Sequence, residues 1–73
     1  MITVYTKDNC PYCIKAKALL SSENIEYTER RIGIDITRDD FLEAFPNART
    51  VPQIVFDEEL IGGYDDLAKR LAK

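Results

Sequence analysis

The two cysteines of this 73-residue chain, Cys10 and Cys13, are spaced for reversible dithiol chemistry. Positions three apart on a helix are neighbours at about 5–6 Å, which is also the usual Cα separation of a disulfide, so the pair can close and open without rebuilding the backbone. As a structural staple it would do little, because a crosslink stabilises less as the loop it closes shortens. An ordinary thiol, of pKa about 8.5, is mostly protonated at neutral pH, whereas unpaired amides at a helix N-terminus and a nearby cation favour the thiolate. Each unit of lowering is worth about 1.4 kcal/mol. Cys10 comes first, with Lys7 three residues upstream, and is expected to be the attacking thiolate. Cys13 lies one turn deeper, where burial keeps a thiol protonated, and is expected to resolve the mixed disulfide that Cys10 forms.

This chemistry needs a strand that ends in a loop and a helix that opens on the first cysteine. Ile2 to Thr6 is β-branched or aromatic, with Ile2 and Val4 on one face, and reads as a strand. Lys7-Asp8-Asn9 is the loop. Pro11 suits the first helical position, and Ala16, Ala18, Leu19 and Leu20 carry the helix to Ser21-Ser22. Ile25 to Ile32 returns to a strand pattern that Gly33 loosens. Thr37 with Asp40 resembles a capping box, Phe41, Leu42 and Phe45 give the next helix an apolar face, and Pro46-Asn47 ends it. Gln53 to Phe56 and Glu59 to Ile61 form a hairpin around Asp57-Glu58, a turn without the usual glycine. After Gly62-Gly63, Asp65 and Asp66 open a last helix whose buried side carries Leu67 and Leu71, with Lys69, Arg70 and Lys73 near its C-terminus. The order is β-α-β-α-β-β-α: an α/β fold with the first two strands parallel, the last two antiparallel, and helices packed on a mixed sheet.

Composition narrows the function. Residues 1–73 are expected to form a single domain with a small core, since a chain of about 60 residues buries only about 60% of the surface it exposes unfolded. An apolar share of 45% with 32% charged residues fits a globular chain, and the net charge of -3 argues against nucleic acid as the main partner. Without histidine, the usual acid-base group at neutral pH and the commonest metal ligand are missing, and two cysteines alone cannot complete a zinc site, so no metal is expected. No apolar run approaches the roughly 18 residues of a membrane span, and no basic stretch precedes one at the N-terminus, so a cytoplasmic location without membrane contact is expected.

Taken together, Tyr5-Thr6-Lys7 before Cys10-Pro11-Tyr12-Cys13, then Arg49-Thr50-Val51-Pro52-Gln53, then Gly62-Gly63-Tyr64-Asp65-Asp66-Leu67 resemble the glutaredoxins, a compact branch of the thioredoxin-like fold, over nearly the whole chain. The resemblance implies a four-stranded mixed sheet with three helices. It also implies that the bond before Pro52 is cis, which leaves the Val51 backbone to pair with an extended peptide-like ligand. Glutathione is the implied ligand. Its γ-glutamyl carboxylate would meet the amides and side chains at Asp65 and Asp66, behind Gly63, with an Asp carboxylate for its amine. Lys7 and Arg49 would face its glycine carboxylate, Thr50 and Val51 its backbone, and Tyr12 and Tyr64 the rims of the groove. No glutathione contact is carried over to the segment from Arg30 to Arg38.

The implied function is a glutathione-dependent thiol-disulfide oxidoreductase, monomeric, with no tightly held cofactor. Its substrates would be protein disulfides and glutathione mixed disulfides, with ribonucleotide reductase among the candidate electron acceptors. Two other readings stay open: a short redoxin that takes electrons from thioredoxin reductase, and a binding module in which glutathione bridges an iron-sulfur cluster between two copies. Cys-Pro-Tyr-Cys and Gly-Gly-Tyr-Asp-Asp favour the first function.

Overall fold

The structure, a computed structural model, describes residues 1–48 and 50–72; Arg49 and Lys73 lie outside the described residues. Seven elements follow in order: β1 (Ile2–Thr6), α1 (Pro11–Ser22), β2 (Thr28–Arg31), α2 (Arg38–Ala44), β3 (Gln53–Phe56), β4 (Glu59–Gly62) and α3 (Tyr64–Leu71). The strands form one sheet in the order β2-β1-β3-β4, with β1 and β2 parallel and the other neighbours antiparallel. This is the expected mixed sheet, because only the α1 crossover lets β2 run beside β1 in the same direction.

The alternation of side chains along the two central strands divides the core into two layers. Val4 and Ile54 point to the side where Ala16 and Leu20 of α1 and Leu67 of α3 pack. Tyr5 and Val55 point the other way, against Phe41 of α2 and Ala48. The Tyr5 ring lies 5.2 Å from that of Phe41 and 5.4 Å from that of Phe45, close enough for aromatic pairing to add to simple burial.

Local signals set most boundaries. Asn9 adopts the left-handed conformation (φ 56°), which asparagine tolerates better than most residues, and so turns the chain from β1 into α1. Thr37 supplies the forward half of its expected box: its hydroxyl accepts the Asp40 amide at 3.0 Å. The β3–β4 turn places both Asp57 (φ 47°) and Glu58 (φ 72°) in the left-handed region, so the hairpin forms despite having no glycine.

β2 is shorter than Ile25 to Ile32. Asn24 ends α1 in a left-handed conformation (φ 57°), and the Ile25 amide folds back onto the Leu20 carbonyl at 2.9 Å. Pairing then begins only at Thr3 opposite Thr28, a register that leaves Ile25 and Glu26 before the start of β1 at Ile2. Ile25 and Tyr27 pack against the α1/α3 layer instead.

Candidate active site

β1 delivers the chain to the sheet's end, and the turn at Asn9 sets Cys10 as the N-cap of α1, with Pro11 at the first helical position. The sulfurs of Cys10 and Cys13 are joined in a disulfide, with their Cα atoms 5.2 Å apart, inside the range expected of residues three apart on one helical face. The Cys13 amide donates to Cys10 Sγ at 3.1 Å, and both residues are largely covered, Cys10 8% and Cys13 2% exposed. An N-cap side chain takes up one of the orphan donors of the first turn, and here that side chain is the sulfur. A hydrogen bond to an ionised acceptor is roughly twice as strong as a neutral one, so the same amide favours the thiolate once the disulfide opens.

A second loop closes on Cys10. The Val51-Pro52 bond is cis, and Cys10 Sγ lies 3.7 Å from the Val51 carbonyl oxygen. Gln53, buried at the start of β3, steadies this loop through its amide, which donates to the Thr50 carbonyl at 2.7 Å.

The third segment abuts the second. A Cβ added to Gly63 would lie 3.4 Å from the Pro52 carbonyl oxygen, and one added to Gly62 (φ 118°) would collide with the Asp66 carboxylate. Gly62 is required by its positive φ, whereas Gly63 packs against Pro52 at van der Waals distance. The Gly63 amide donates to Asp66 Oδ2 at 3.2 Å, which fixes the first turn of α3. Among the described residues, Asp65 has no side-chain hydrogen bond and is exposed.

Between these segments runs a groove of about 460 Å³, lined by Tyr12, Thr50, Val51, Pro52, Gly63, Tyr64, Asp65 and Asp66. Tyr12 is 55% exposed, its ring stands 5.9 Å from that of Tyr64, and Lys15 Nζ lies 5.1 Å from its centroid. Lys7 is not part of this groove. It lines an adjoining hollow of about 280 Å³ with Arg38, Phe41, Thr50 and Val51, and also a separate pocket beside the cysteines. Arg49 falls outside the described residues, whereas Arg38, which no motif marks, stands in the hollow with Lys7.

The pocket beside the cysteines was not legible from motifs. It holds about 240 Å³ and is walled by Cys10, Cys13, Lys7, Asp8, Ile14, Lys17, Glu29 and Arg31, together with Asn9. Lys17 follows Cys13 by one helical turn on the same face, the one signal that could have found it. Lys17 Nζ donates to Glu29 Oε2 at 3.0 Å, the Thr6 hydroxyl donates to the same oxygen at 2.7 Å, and Arg31 pairs with Asp8. The Thr6 hydroxyl, followed by the Lys17 ammonium and the Arg31 charge, holds the Glu29 carboxyl below its ordinary value, against the opposing effect of burial. Larger clefts elsewhere, such as one of about 650 Å³ between Met1 and Thr28, contain neither cysteine. Among the described residues no helix is long and apolar enough to cross a membrane.

Comparison with known proteins bears on this arrangement. A family model described as Glutaredoxin matches residues 2–61. Glutaredoxin 3 of Escherichia coli strain K12 is 42% identical over 66 residues, which covers 90% of this chain and 80% of that protein. Among solved structures, reduced Escherichia coli glutaredoxin superposes with a TM-score of 0.76 at 36% identity, covering 96% of this chain and 91% of that one. A buckwheat glutaredoxin–glutathione complex gives a TM-score of 0.73 at 27% identity, covering 94% of this chain and 66% of its own.

Proposed function

The chain belongs to the glutaredoxin family of thiol-disulfide oxidoreductases, and from that premise we propose that it is a glutathione-dependent enzyme that reduces protein disulfides and removes glutathione from mixed disulfides. The observation that carries this reading is the groove of Tyr12, Thr50 to Pro52 and Gly63 to Asp66, whose Val51 carbonyl lies 3.7 Å from Cys10 Sγ.

The reaction begins when the Cys10 thiolate attacks one sulfur of a substrate disulfide. A Cys10–substrate bond forms, the substrate S–S bond breaks, and the electron pair leaves on the other sulfur as a thiolate. Cys13 then attacks Cys10 Sγ and expels the remaining substrate sulfur as a thiolate, or glutathione attacks that substrate sulfur, leaves with it as a disulfide and releases the Cys10 thiolate. Cys13 is the resolving thiol in our reading, because its attack returns the protein to the Cys10–Cys13 disulfide.

Glutathione is placed by its charges. Its γ-glutamyl carboxylate lies at the open amides that start α3, its amine meets the Asp65 carboxylate, and Asp66 contributes by holding the Gly63 amide and with it the turn. Its cysteinyl backbone lies along Val51, and Tyr12 and Tyr64 flank it. Its glycine carboxylate points to the hollow where Lys7 and Arg38 supply positive charge, and Arg49 is assigned to the same end by family resemblance alone. We further propose that the protein works as a monomer in the cytoplasm, as a single domain with no tightly bound cofactor. Disulfide-bearing proteins are its clients, with ribonucleotide reductase among them. The buckwheat glutathione complex supports the ligand's identity.

The test is turnover of a small glutathione mixed disulfide with a single reductant supplied. Glutathione alone should sustain it; activity with thioredoxin reductase alone, and none with glutathione, would overturn the proposal.

A further inference from the structure

We infer that Lys17 and Glu29 tune the Cys13 sulfur as a leaving and attacking group: the Lys17 ammonium favours its thiolate, and Glu29 moderates that cation while positioning it. The inference rests on the family's thiol-disulfide exchange and not on the identity of the reductant.

Its basis is the placement of the pair. Glu29 is opposite Val4 in the parallel ladder, so both side chains leave the same face of the sheet, the one covered by α1. An apolar residue at that position would extend the core. Instead a carboxylate stands there, bound to the buried hydroxyl of Thr6 and to Lys17, and both charged side chains remain 30% exposed. A partly buried ion pair of this kind is weak evidence for stabilisation, since an apolar replacement is often neutral or better. What distinguishes this pair is that it opens onto the same pocket as Cys13.

The charges around Cys13 can be enumerated by element. The β1–α1 loop contributes Lys7 and Asp8, α1 contributes Lys17, and β2 contributes Glu29 and Arg31. Asp8 is paired with Arg31, and Glu29 with Lys17. Lys17 is the cation one turn below Cys13 and follows it by four residues, at the spacing where helical side chains meet.

When an incoming thiolate attacks Cys10 Sγ, its bond to Cys10 forms as the Cys10–Cys13 bond breaks. The electron pair departs on Cys13 Sγ, which is then protonated from water. A second thiolate displaces the first from Cys10 and leaves with it as a disulfide, releasing the Cys10 thiolate. In the opposite direction Cys13 must lose that proton and attack Cys10. The first direction gains from any cation that lowers the Cys13 pKa, because a thiol of lower pKa leaves faster.

Two substitutions in one ion pair should therefore act with opposite signs. Lys17→Met leaves the Glu29 carboxylate in the Cys13 pocket without its cation, and should slow opening of the disulfide by 2-mercaptoethanol about two- to threefold, because a leaving thiol of higher pKa departs more slowly. Glu29→Gln removes the counter-charge from Lys17 and should speed it by a similar factor, while Lys17→Arg should restore the wild-type rate. In a Cys10→Ser background, the pH dependence of Cys13 alkylation should move up for Lys17→Met and down for Glu29→Gln. In a Cys13→Ser background, Lys17→Met should leave the rate at which Cys10 exchanges with 2-hydroxyethyl disulfide unchanged. A pair that merely holds β2 to α1 would give losses of the same sign in both variants. That result, or no change in either variant, overturns the inference.

Discussion

On one side of the Cys10–Cys13 disulfide, the groove is made mainly of backbone and rings: the Val51 carbonyl, the Gly63 turn, Tyr12 and Tyr64, with Asp65 at its far end. On the other side, the pocket is walled by charged side chains that bind one another, Lys17 with Glu29 and Arg31 with Asp8. The first construction suits a peptide-like ligand, because main-chain groups and flat rings offer hydrogen bonds and surface at little entropic cost. The second suits the control of a sulfur's charge, because paired ions set a local potential without binding anything. Two adjacent sulfurs can thus be given unequal roles by a helix start that favours one and surroundings that differ for each.

Substitutions that reach only one side should separate the two constructions. The largest expected effect short of removing a cysteine belongs to the groove: Asp65→Asn should raise KM for glutathione mixed disulfides about tenfold and leave kcat near wild type, as expected for one charge-assisted hydrogen bond of about 1.4 kcal/mol. Steady-state kinetics would check it, and an equal fall in kcat would mean that Asp65 acts on the sulfur. Lys7 borders both the glycine-end hollow and the charged pocket. Lys7→Ala should therefore show a smaller effect on both sides, raising KM about threefold and moving the pH dependence of Cys10 alkylation upward. A change in only one of them would assign Lys7 to that side alone.

The smallest effect concerns the charged pocket and stability. The Glu29 carboxyl is held below its ordinary value of 4.5 in the folded protein, first by Thr6 and then by Lys17, so it contributes stability that is complete above that value. The contribution is lost as the pH falls through the lowered folded value. Because the pair is partly exposed, at most about 1 kcal/mol is involved. Thermal melting of Glu29→Gln should accordingly lose part of its acid dependence below the ordinary carboxyl range and keep KM for glutathione unchanged. A melting profile parallel to wild type at every pH would contradict the assignment.

The sequence disclosed the parts of the site that are local. Pro11 and the Ala-Leu run marked α1, Thr37 marked the start of α2, and the three motif segments named the groove residues that converge near Cys10. Glu29 was invisible as a partner of Lys17 and Thr6, because their meeting depends on the parallel register that sets Val4 against Glu29 across 25 residues of chain. Arg38 was missed for a related reason: the irregular turn from Gly33 to Ile36 carries it back toward Lys7. Ile25 to Tyr27 has the alternation of a strand yet lacks one: Ile25 and Glu26 fall before β1 begins, and Ile25 and Tyr27 pack against the α1/α3 layer instead. In each case the missing information was the position of a distant segment rather than the preference of a local one.

The central claim, that the two sulfurs are unequal, is tested most directly by assaying Cys10→Ser and Cys13→Ser side by side on a glutathione mixed disulfide and on a protein disulfide. Cys10→Ser should lose both activities, whereas Cys13→Ser should keep removal of glutathione and lose reduction of the protein disulfide. Equal losses in the two variants would contradict the account.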